Sequence, residues 1–168
     1  GQGYRMWYYC WGPPGDGSHA LYAISKDGFQ CEKPKLGLMA WKRNGSTSNN
    51  FVGAGGSVMH TPGDPEPARR HKAVHSGNFF FSSSPDGIRW ERLSKGEIFK
   101  AGDTGHVIWD PLTSKYRGYA KVNAHVSGQR RRAVGYSEGT GFEEWHAMRL
   151  IMAPDDFDDR WVKPASVQ

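Results

Sequence analysis

An all-β fold with many turns is predicted by the composition and by a recurring turn pattern. Of 168 residues, Trp, Tyr and Phe together supply 22, whereas Leu, Ile and Val together supply 20. Aromatic side chains are enriched in strands and here provide much of the apolar area for a core. The 22 Gly and 10 Pro break the chain into short elements. A helical bundle is disfavoured, and so is a membrane-spanning protein, since no apolar run approaches the ~20 residues that cross a bilayer.

Three segments repeat a pattern of strand, Ser-led turn and strand, at 22–31, 81–90 and 134–145. Their serines stand 59 and 53 residues apart, at Ser25, Ser84 and Ser137. The first two turns continue with Asp-Gly, which supplies the positive φ of a tight turn, whereas the third is longer and uses Gly-Thr-Gly. We therefore assign Asp27 and Asp86 a structural role.

The repeat predicts a β-propeller built from about three four-stranded blades. The blade units are 1–48, 49–101 and 102–157, and a further blade starts at 158–168. The expected strands are 4–10, 19–24 and 29–33 in the first unit, 51–60, 70–75, 78–83 and 87–93 in the second, and 107–110, 115–121, 131–136 and 142–148 in the third. Because propellers usually have about four to eight blades, three are too few to close a ring. We expect the missing blades from the same chain or from a self-associating copy.

Polar residues precede each predicted inner strand at nearly equal spacing. Asn50, Asp103 and Asp159 are 53 and 56 residues apart, so they are expected at equivalent positions around the central channel. Glycoside hydrolysis needs two carboxyl groups, ~5 to 5.5 Å apart for retention or ~6.5 to 9.5 Å apart for inversion. We predict Asp103 and Asp159 as the catalytic pair and expect each to raise the other's pKa. The alternative is that these residues only form turns before strands.

Four residues are predicted to bind substrate. Asn50 and His106 would line the cavity beside Asp103, and Trp161 would stack on a sugar ring. Arg70 follows a Pro-rich loop at 61–67 and would either clamp an anionic substrate or pair with nearby acids. A lone His such as His106 is often a packing residue instead.

Charge and cysteine usage argue against other classes of site. The net charge of +5 is modest, and alternation along a strand would place Arg131 on the opposite face from Arg130 and Arg132. No nucleic-acid partner is therefore expected. Cys10 and Cys31 lack CxxC spacing, so neither a metal nor another cofactor is predicted.

The sequence resembles bacterial proteins related to glycoside hydrolase families 32 and 43 over nearly its whole length. The resemblance is carried by Tyr-Arg-Met-Trp-Tyr-Tyr at 4–9, Ser-Lys-Asp-Gly-Phe at 25–29, Ser-Pro-Asp-Gly-Ile-x-Trp at 84–90, Asp-Thr at 103–104, Trp-Asp-Pro at 109–111 and Arg-Arg-Ala-Val-Gly at 131–135. It implies a five-bladed propeller of which two blades are absent here, an oligo- or polysaccharide substrate, and an extracellular or periplasmic location. Cys10 and Cys31 depart from the pattern, and we expect unpaired, partly buried thiols on strands separated by another strand.

Three functions fit these observations. The first is a glycoside hydrolase-like propeller acting through its acidic residues. The second is a noncatalytic carbohydrate-binding propeller, and the third is an interaction scaffold. The Asn-Asp-Pro and Glu-Cys signatures of enzymes in these families do not occur in the chain, so hydrolysis stays open.

Overall fold

The computed structural model describes residues 3–75, 77, 79–155 and 157–158. Within these residues the named elements are eleven strands and one short 3-10 helix at Pro67–Arg69. The strands are β1 Tyr4–Trp11, β2 Ser18–Ser25, β3 Cys31–Glu32, β4 Ser57–His60, β5 His71–Val74, β6 Phe81–Ser84, β7 Glu91–Arg92, β8 Gly105–Asp110, β9 Lys115–Val126, β10 Gln129–Gly139 and β11 Arg149–Met152. The all-β prediction is confirmed.

The strands form three antiparallel sheets, and neighbours in each sheet are consecutive in the chain. The orders are β1-β2-β3, β4-β5-β6-β7 and β8-β9-β10-β11. Each sheet is therefore an up-and-down meander, as short hairpin connections favour. Three strands in the first repeat and four in each of the next two agree with the predicted count, and none of the sheets closes on itself.

Four strands begin three or more residues later than predicted, namely β4, β6, β7 and β11. β4 begins at Ser57 instead of residue 51, because residues 50–52 bond to β2: the Tyr22 amide donates to the Asn50 carbonyl at 3.0 Å and the Val52 amide to the Ala20 carbonyl at 2.9 Å. β3 is only two residues long and leaves that part of β2 open.

The last strand of the third sheet also begins later than predicted, at Arg149 instead of residue 142. The long third turn causes this shift. Its Ser137 hydroxyl donates to the His146 carbonyl at 2.6 Å, and the Trp145 indole donates to the Gly141 carbonyl at 3.1 Å. The segment after β10 is therefore held in a wide turn before the chain re-enters the sheet.

The chain divides into two compact units. Unit 1 comprises Gly1–Ser76 and Phe80–Lys95, and unit 2 comprises Gly77–Phe79 and Gly96–Gln168. The core of unit 1 is formed by Leu21, Tyr22, Ala23, Val52, Ala54, Ala73, Val74 and Phe81. The core of unit 2 is formed by Phe79, Ile98, Phe99, Val107, Tyr116, Ala120, Ala133 and Tyr136. Aromatic rings make up much of both cores, as the composition indicates.

The two Asp-Gly turns have the same hydrogen bonds. In the first, the Ser25 hydroxyl accepts the Gly28 amide at 2.8 Å, and Asp27 Oδ1 accepts the amides of residues 29 and 30, each at 2.8 Å. In the second, Ser84 accepts the Gly87 amide and Asp86 Oδ1 accepts those of residues 88 and 89, again at 2.8 Å. The structural assignment of both aspartates is confirmed.

The second turn also joins two sheets of unit 1. The Trp7 indole donates to the Gly87 carbonyl at 2.7 Å. Arg5 donates to the Tyr22 hydroxyl at 2.7 Å, to His71 Nε2 at 3.0 Å and to the Asp86 carbonyl. Since Arg5 donates to Nε2, the proton of the neutral His71 ring is assigned to Nδ1.

A buried lysine holds the Pro-rich loop of unit 1. Only 1% of Lys72 is exposed, and its ammonium donates to Thr61 Oγ1 at 2.6 Å, Asp64 Oδ2 at 2.6 Å and the Arg69 carbonyl at 2.8 Å. Burial acts to raise the pKa of Asp64, but Lys72 outweighs it and the pKa is lowered. All three ammonium hydrogens have partners, which makes burial of the charge tolerable.

Cys10 and Cys31 are unpaired, as expected, and lie on β1 and β3 with β2 between them. Both are exposed, whereas the sequence led us to expect partly buried thiols. No helix among the described residues is both long and apolar enough to cross a membrane.

Candidate functional site

The predicted site residues are divided between the two units. Asp103 and His106 belong to unit 2, whereas Asn50 and Arg70 belong to unit 1. Asp159 and Trp161 lie outside the described residues. The candidate site therefore consists of the residues of unit 2 around Asp103.

Asp103 lies in the loop that leads into β8 and pairs with a lysine of the neighbouring strand. Its Oδ1 is 2.6 Å from the ammonium of Lys121 on β9. Backbone bonds fix this arrangement: the Gly102 amide donates to the Lys121 carbonyl at 2.7 Å, and the Lys121 amide donates to the Thr104 carbonyl at 2.8 Å. The loop is thus an extension of the β8–β9 ladder, which positions the carboxylate.

Lys121 stabilises the ionised form of this carboxylate. Its hydrogen bond is the main cause that lowers the pKa of Asp103, against a smaller opposing effect of desolvation. The Asp103 side chain is 71% exposed. The sequence led us to expect a pKa raised by a second carboxylate, but the group paired with Asp103 is a cation. Asp103 is accordingly ionised at neutral pH, a state that suits a nucleophile or a general base and does not suit a general acid.

A trough of about 770 Å³ lies on the same side of the third sheet. Its lining combines rings, short apolar side chains and cations, and includes His106, Tyr119, Lys121, Val134, Met152 and Pro154. His106 is paired in register with Tyr119, and Lys121 with Val134, so these side chains share one face of the sheet. Apolar faces beside polar groups are what a sugar ring requires of a binding site.

His106 lines this trough directly, whereas Asp103 is connected to it through Lys121. His106 is exposed and lines it, and Lys121, the partner of Asp103, lines it as well. Asp158 also lines the trough, and its Oδ2 accepts the Asp155 amide at 3.1 Å. Among the described residues of unit 2, Asp158 is therefore the carboxylate that lines the trough, whereas Asp103 lies next to the trough through its contact with Lys121.

Asn50 is buried, and its side chain makes structural contacts. Its amide group donates to the Tyr22 carbonyl at 2.7 Å and to the Tyr8 hydroxyl at 3.1 Å. Both amide hydrogens are used, so Asn50 ties the segment before β4 to the first sheet. The role of Asn50 is thus structural, but through long-range contacts and not through a local turn.

Arg70 is exposed directly after the 3-10 helix. The acids of the neighbouring loop have other partners: Glu66 is 3.3 Å from Arg69, and Asp64 is 2.6 Å from Lys72. Within the described residues the Arg70 guanidinium forms no ion pair. The nearby acids that the sequence offered to Arg70 pair instead with its neighbours Arg69 and Lys72.

A second polar cluster on the third sheet was not anticipated from the sequence. Glu138 accepts the Tyr136 hydroxyl and the Lys115 ammonium, each at 2.7 Å, and Arg149 lies 4.9 Å above the Tyr136 ring. The Lys115 hydrogen bond, followed by that of Tyr136, lowers the pKa of Glu138 to about 2. The spacing of Tyr136 and Glu138, two residues apart on one strand, was the available signal, because it places both on one face.

Unit 1 contains a cavity of about 760 Å³ lined by Arg5, Trp7, Tyr22, His60 and His71. Its only arginine already donates to Tyr22, His71 and the Asp86 carbonyl. We therefore assign Arg5 and its partners a structural role, which is to join two sheets within the unit.

Comparison with known proteins gives no match to a family model, to a curated protein or to a solved structure. Within the described residues, no group of three or more His, Cys, Asp or Glu side chains is placed to hold a metal ion. The functional argument therefore depends on the trough and its charged residues.

Proposed function

We propose that this chain is part of a carbohydrate-active β-propeller protein related to glycoside hydrolases, and that the trough of unit 2 receives the sugar. The observation that carries the proposal is the Asp103–Lys121 pair, fixed by the β8–β9 ladder next to a trough lined by His106 and Tyr119. Three consecutive antiparallel meanders, two of them four-stranded, together with equivalent Asp-Gly turns in the first two, support the propeller assignment. The substrate would be an oligo- or polysaccharide outside the cell or in the periplasm.

In this proposal each residue has a separate task. Asp103, held ionised by Lys121, would attack the sugar or accept a proton from water. Lys121 positions the carboxylate through a 2.6 Å contact, and Tyr119 and His106 give the sugar an aromatic surface. Asp159 stays our candidate for the second carboxyl group, the general acid.

Noncatalytic carbohydrate binding is the second candidate, and one observation favours it. Asp103 is bound to a cation through Oδ1, and neither its pKa nor any other carboxyl pKa with a clear shift among the described residues is raised. A raised carboxyl pKa is what glycosidases use for the general acid. Binding would need the trough and its polar groups without this acid.

The test is an Asp103→Asn variant of the intact protein, assayed for hydrolysis and binding on a panel of polysaccharides. Asn keeps the shape of the side chain and removes its charge. We expect hydrolysis to fall by about a thousandfold or more if Asp103 is the nucleophile or base, and sugar binding to weaken if the protein only binds. The melting temperature should change little, since the carboxylate is exposed.

Asp110→Asn is the matched control. Asp110 is also paired with a cation of the third sheet, Arg117 at 2.7 Å, but Arg117 does not line the trough, whereas Lys121, the partner of Asp103, does. Its substitution should leave activity and binding unchanged. Unchanged hydrolysis and binding in Asp103→Asn, together with a large loss of stability, would make Asp103 a turn residue and end the proposal.

A further inference from the structure

Residues 121–134 form a two-stranded projection of the third sheet, which we call the basic ribbon. β8 pairs with β9 only from Lys115 to Ala120, and β11 pairs with β10 only from Val134 to Tyr136. Residues 122–126 and 129–133 therefore pair only with each other and extend beyond both neighbouring strands. Ser127 and Gly128 close the ribbon with φ values of 50° and 76°, as in the two-residue turns that match the twist of a hairpin.

The ribbon concentrates the positive charge of the chain. Four cations and no acid occur between residues 121 and 134, so the formal charge of this segment is +4, against +5 for all 168 residues. The charges of the remaining residues therefore nearly cancel one another. A concentration of one sign on a projecting element attracts ions of the opposite sign.

The register places two of these cations on the face that carries the trough. Arg132 is opposite Asn123 and Arg130 is opposite His125, which puts both arginines on the same face as Lys121. The register places Arg131 on the other face, although it also contributes to the lining of the trough. Arg130, Arg132 and His125 are all exposed.

Lys121 is neutralised by Asp103, but the two arginines are not paired in this way. Neither Arg130 nor Arg132 forms an ion pair with any residue that the structure describes. Arg132 and Lys121 both line the trough. A ligand lying in the trough would therefore meet Lys121, which is bound to Asp103, at one point and Arg132 at another, with Arg130 two residues further along the ribbon.

We propose that the ligand of this site is an acidic saccharide, whose carboxylates are held by Arg130 and Arg132 while an adjacent sugar ring lies in the trough. This inference rests on the proposed function and narrows its substrate class. Guanidinium groups bind carboxylates through paired, charge-assisted hydrogen bonds, which give both affinity and orientation. A neutral polysaccharide would leave both arginines without a partner.

A saccharide fits the site better than a nucleic acid does. Single-stranded nucleic acids are held by aromatic platforms on which successive bases stack. The ribbon contains no Phe, Trp or Tyr between residues 121 and 134. The available rings, His106 and Tyr119, lie within the trough beside short apolar side chains, where one or two sugar rings can be accommodated.

The experiment measures binding of the intact protein to polygalacturonate and to its fully methyl-esterified form, which has the same backbone without charge. The test variant is Arg130→Glu with Arg132→Glu. The control is Lys35→Glu with Lys42→Glu, two exposed cations outside the third sheet. Each reversal removes two charges, so either double variant has a net charge of +1 instead of +5.

We expect the protein to bind polygalacturonate at least about tenfold more tightly than the ester. The ribbon variant should lose about tenfold or more of that affinity, whereas the control variant should lose less than about threefold, and added salt should weaken the interaction of the wild-type protein. Circular dichroism is expected to show the same folded state for all three proteins, because the substituted residues are exposed.

Other results would overturn the inference. Equal binding of polygalacturonate and its ester would refute the acidic ligand while leaving carbohydrate binding intact. Equal losses in the ribbon and control variants would remove the role of Arg130 and Arg132. Tighter binding of a 20-nucleotide single-stranded DNA than of polygalacturonate would assign the ribbon to nucleic acid. Absence of binding to either polysaccharide would refute the inference, and the Asp103→Asn experiment would then decide separately whether the trough acts on other sugars.

Discussion

His75 shows how burial of one titratable side chain links folding to pH. Its ring stacks on Phe80 with centroids 4.0 Å apart, and its Nε2 lies 3.2 Å from the Ser82 hydroxyl. Burial, followed by the charge of Arg92, lowers the pKa of His75 to about 4. The unfolded chain restores the ordinary value near 6.5. At mildly acidic pH the unfolded state therefore binds a proton that the folded state excludes.

We predict that the free energy of unfolding falls as pH is lowered from about 6.5 towards 4, by about 3 kcal/mol at most from His75. The full contribution is present above pH 6.5, where the ring is neutral in both states. Urea unfolding of the wild-type protein and of His75→Phe across this range is the measurement. The variant should lack this part of the slope. Parallel curves for the two proteins would show that His75 titrates normally in the fold.

The carboxylates affect the free energy of unfolding at a lower pH than His75 does. The two contributions can therefore be measured separately. Asp86 and Glu138 each have a pKa lowered to about 2. Their stabilising contribution is present above their ordinary pKa and is lost only as pH falls from about 4 towards 2. The acid transition of this protein should thus begin with a histidine and continue with carboxylates.

The two Asp-Gly turns have the same backbone conformation but different neighbouring side chains. Gly28 and Gly87 have φ values of 83° and 77°, which any other residue adopts only with strain. A Cβ at Gly87 would lie 2.8 Å from the Trp7 ring and 2.9 Å from an Arg5 nitrogen. A Cβ at Gly28 would meet the Tyr4 ring at an ordinary 3.5 Å. Only the second turn is packed tightly against another sheet.

We predict that Gly87→Ala destabilises the protein more than Gly28→Ala does. Both variants incur the cost of positive φ, on the order of 1 kcal/mol. Gly87→Ala adds displacement of Trp7 and Arg5, for a total of about 2–4 kcal/mol. Chemical denaturation of the two variants gives the comparison directly. Equal losses would mean that Trp7 and Arg5 move aside without cost.

Sequence reasoning recovered the strands and the two short turns because both depend on local signals. Alternation placed Arg131 on the opposite face from Arg130 and Arg132, and Asp-Gly marked the positive-φ positions. The shifted start of β4 was not predictable in this way. It depends on residues 50–52 finding an open edge of β2, which is a long-range contact.

Only part of the candidate site could be predicted from the sequence, because only that part depends on local signals. Asp103 and His106 were chosen because they precede or begin an inner strand, and the structure associates both with one trough. Lys121 was missed because it meets Asp103 only through the β8–β9 register. The direction of the Asp103 pKa shift depends on this long-range contact and therefore could not be predicted from the sequence.

The edge of the third sheet has an exposed apolar surface on β11. Leu150, Ile151 and Met152 on β11 are between 49% and 64% exposed. An exposed apolar strand at a sheet edge offers unpaired backbone groups to another chain. This surface is where further blades or a second copy of the chain would pack in the proposed propeller.

We predict that the isolated 168-residue polypeptide self-associates in a concentration-dependent manner and that Ile151→Lys weakens this association. A lysine on an edge strand opposes pairing with a second strand. Light scattering across a range of concentrations measures both effects. A stable monomer of 18.8 kDa at all concentrations would contradict the prediction.

The hydrogen bonds of the Asp-Gly turns also bear on how the protein ages chemically. In a flexible Asp-Gly sequence the glycine nitrogen attacks the aspartate side-chain carbonyl, and the cyclic imide that forms opens to isoaspartate. Here the Gly87 amide is held by Ser84, and the carboxylate of Asp86 accepts two amides at its Oδ1 and Arg89 at its Oδ2. A pKa of about 2 keeps this carboxylate ionised, the form least open to attack. Isomerisation should therefore be confined to unfolded chains, so that storage in denaturant slowly yields molecules in which these turns cannot form again.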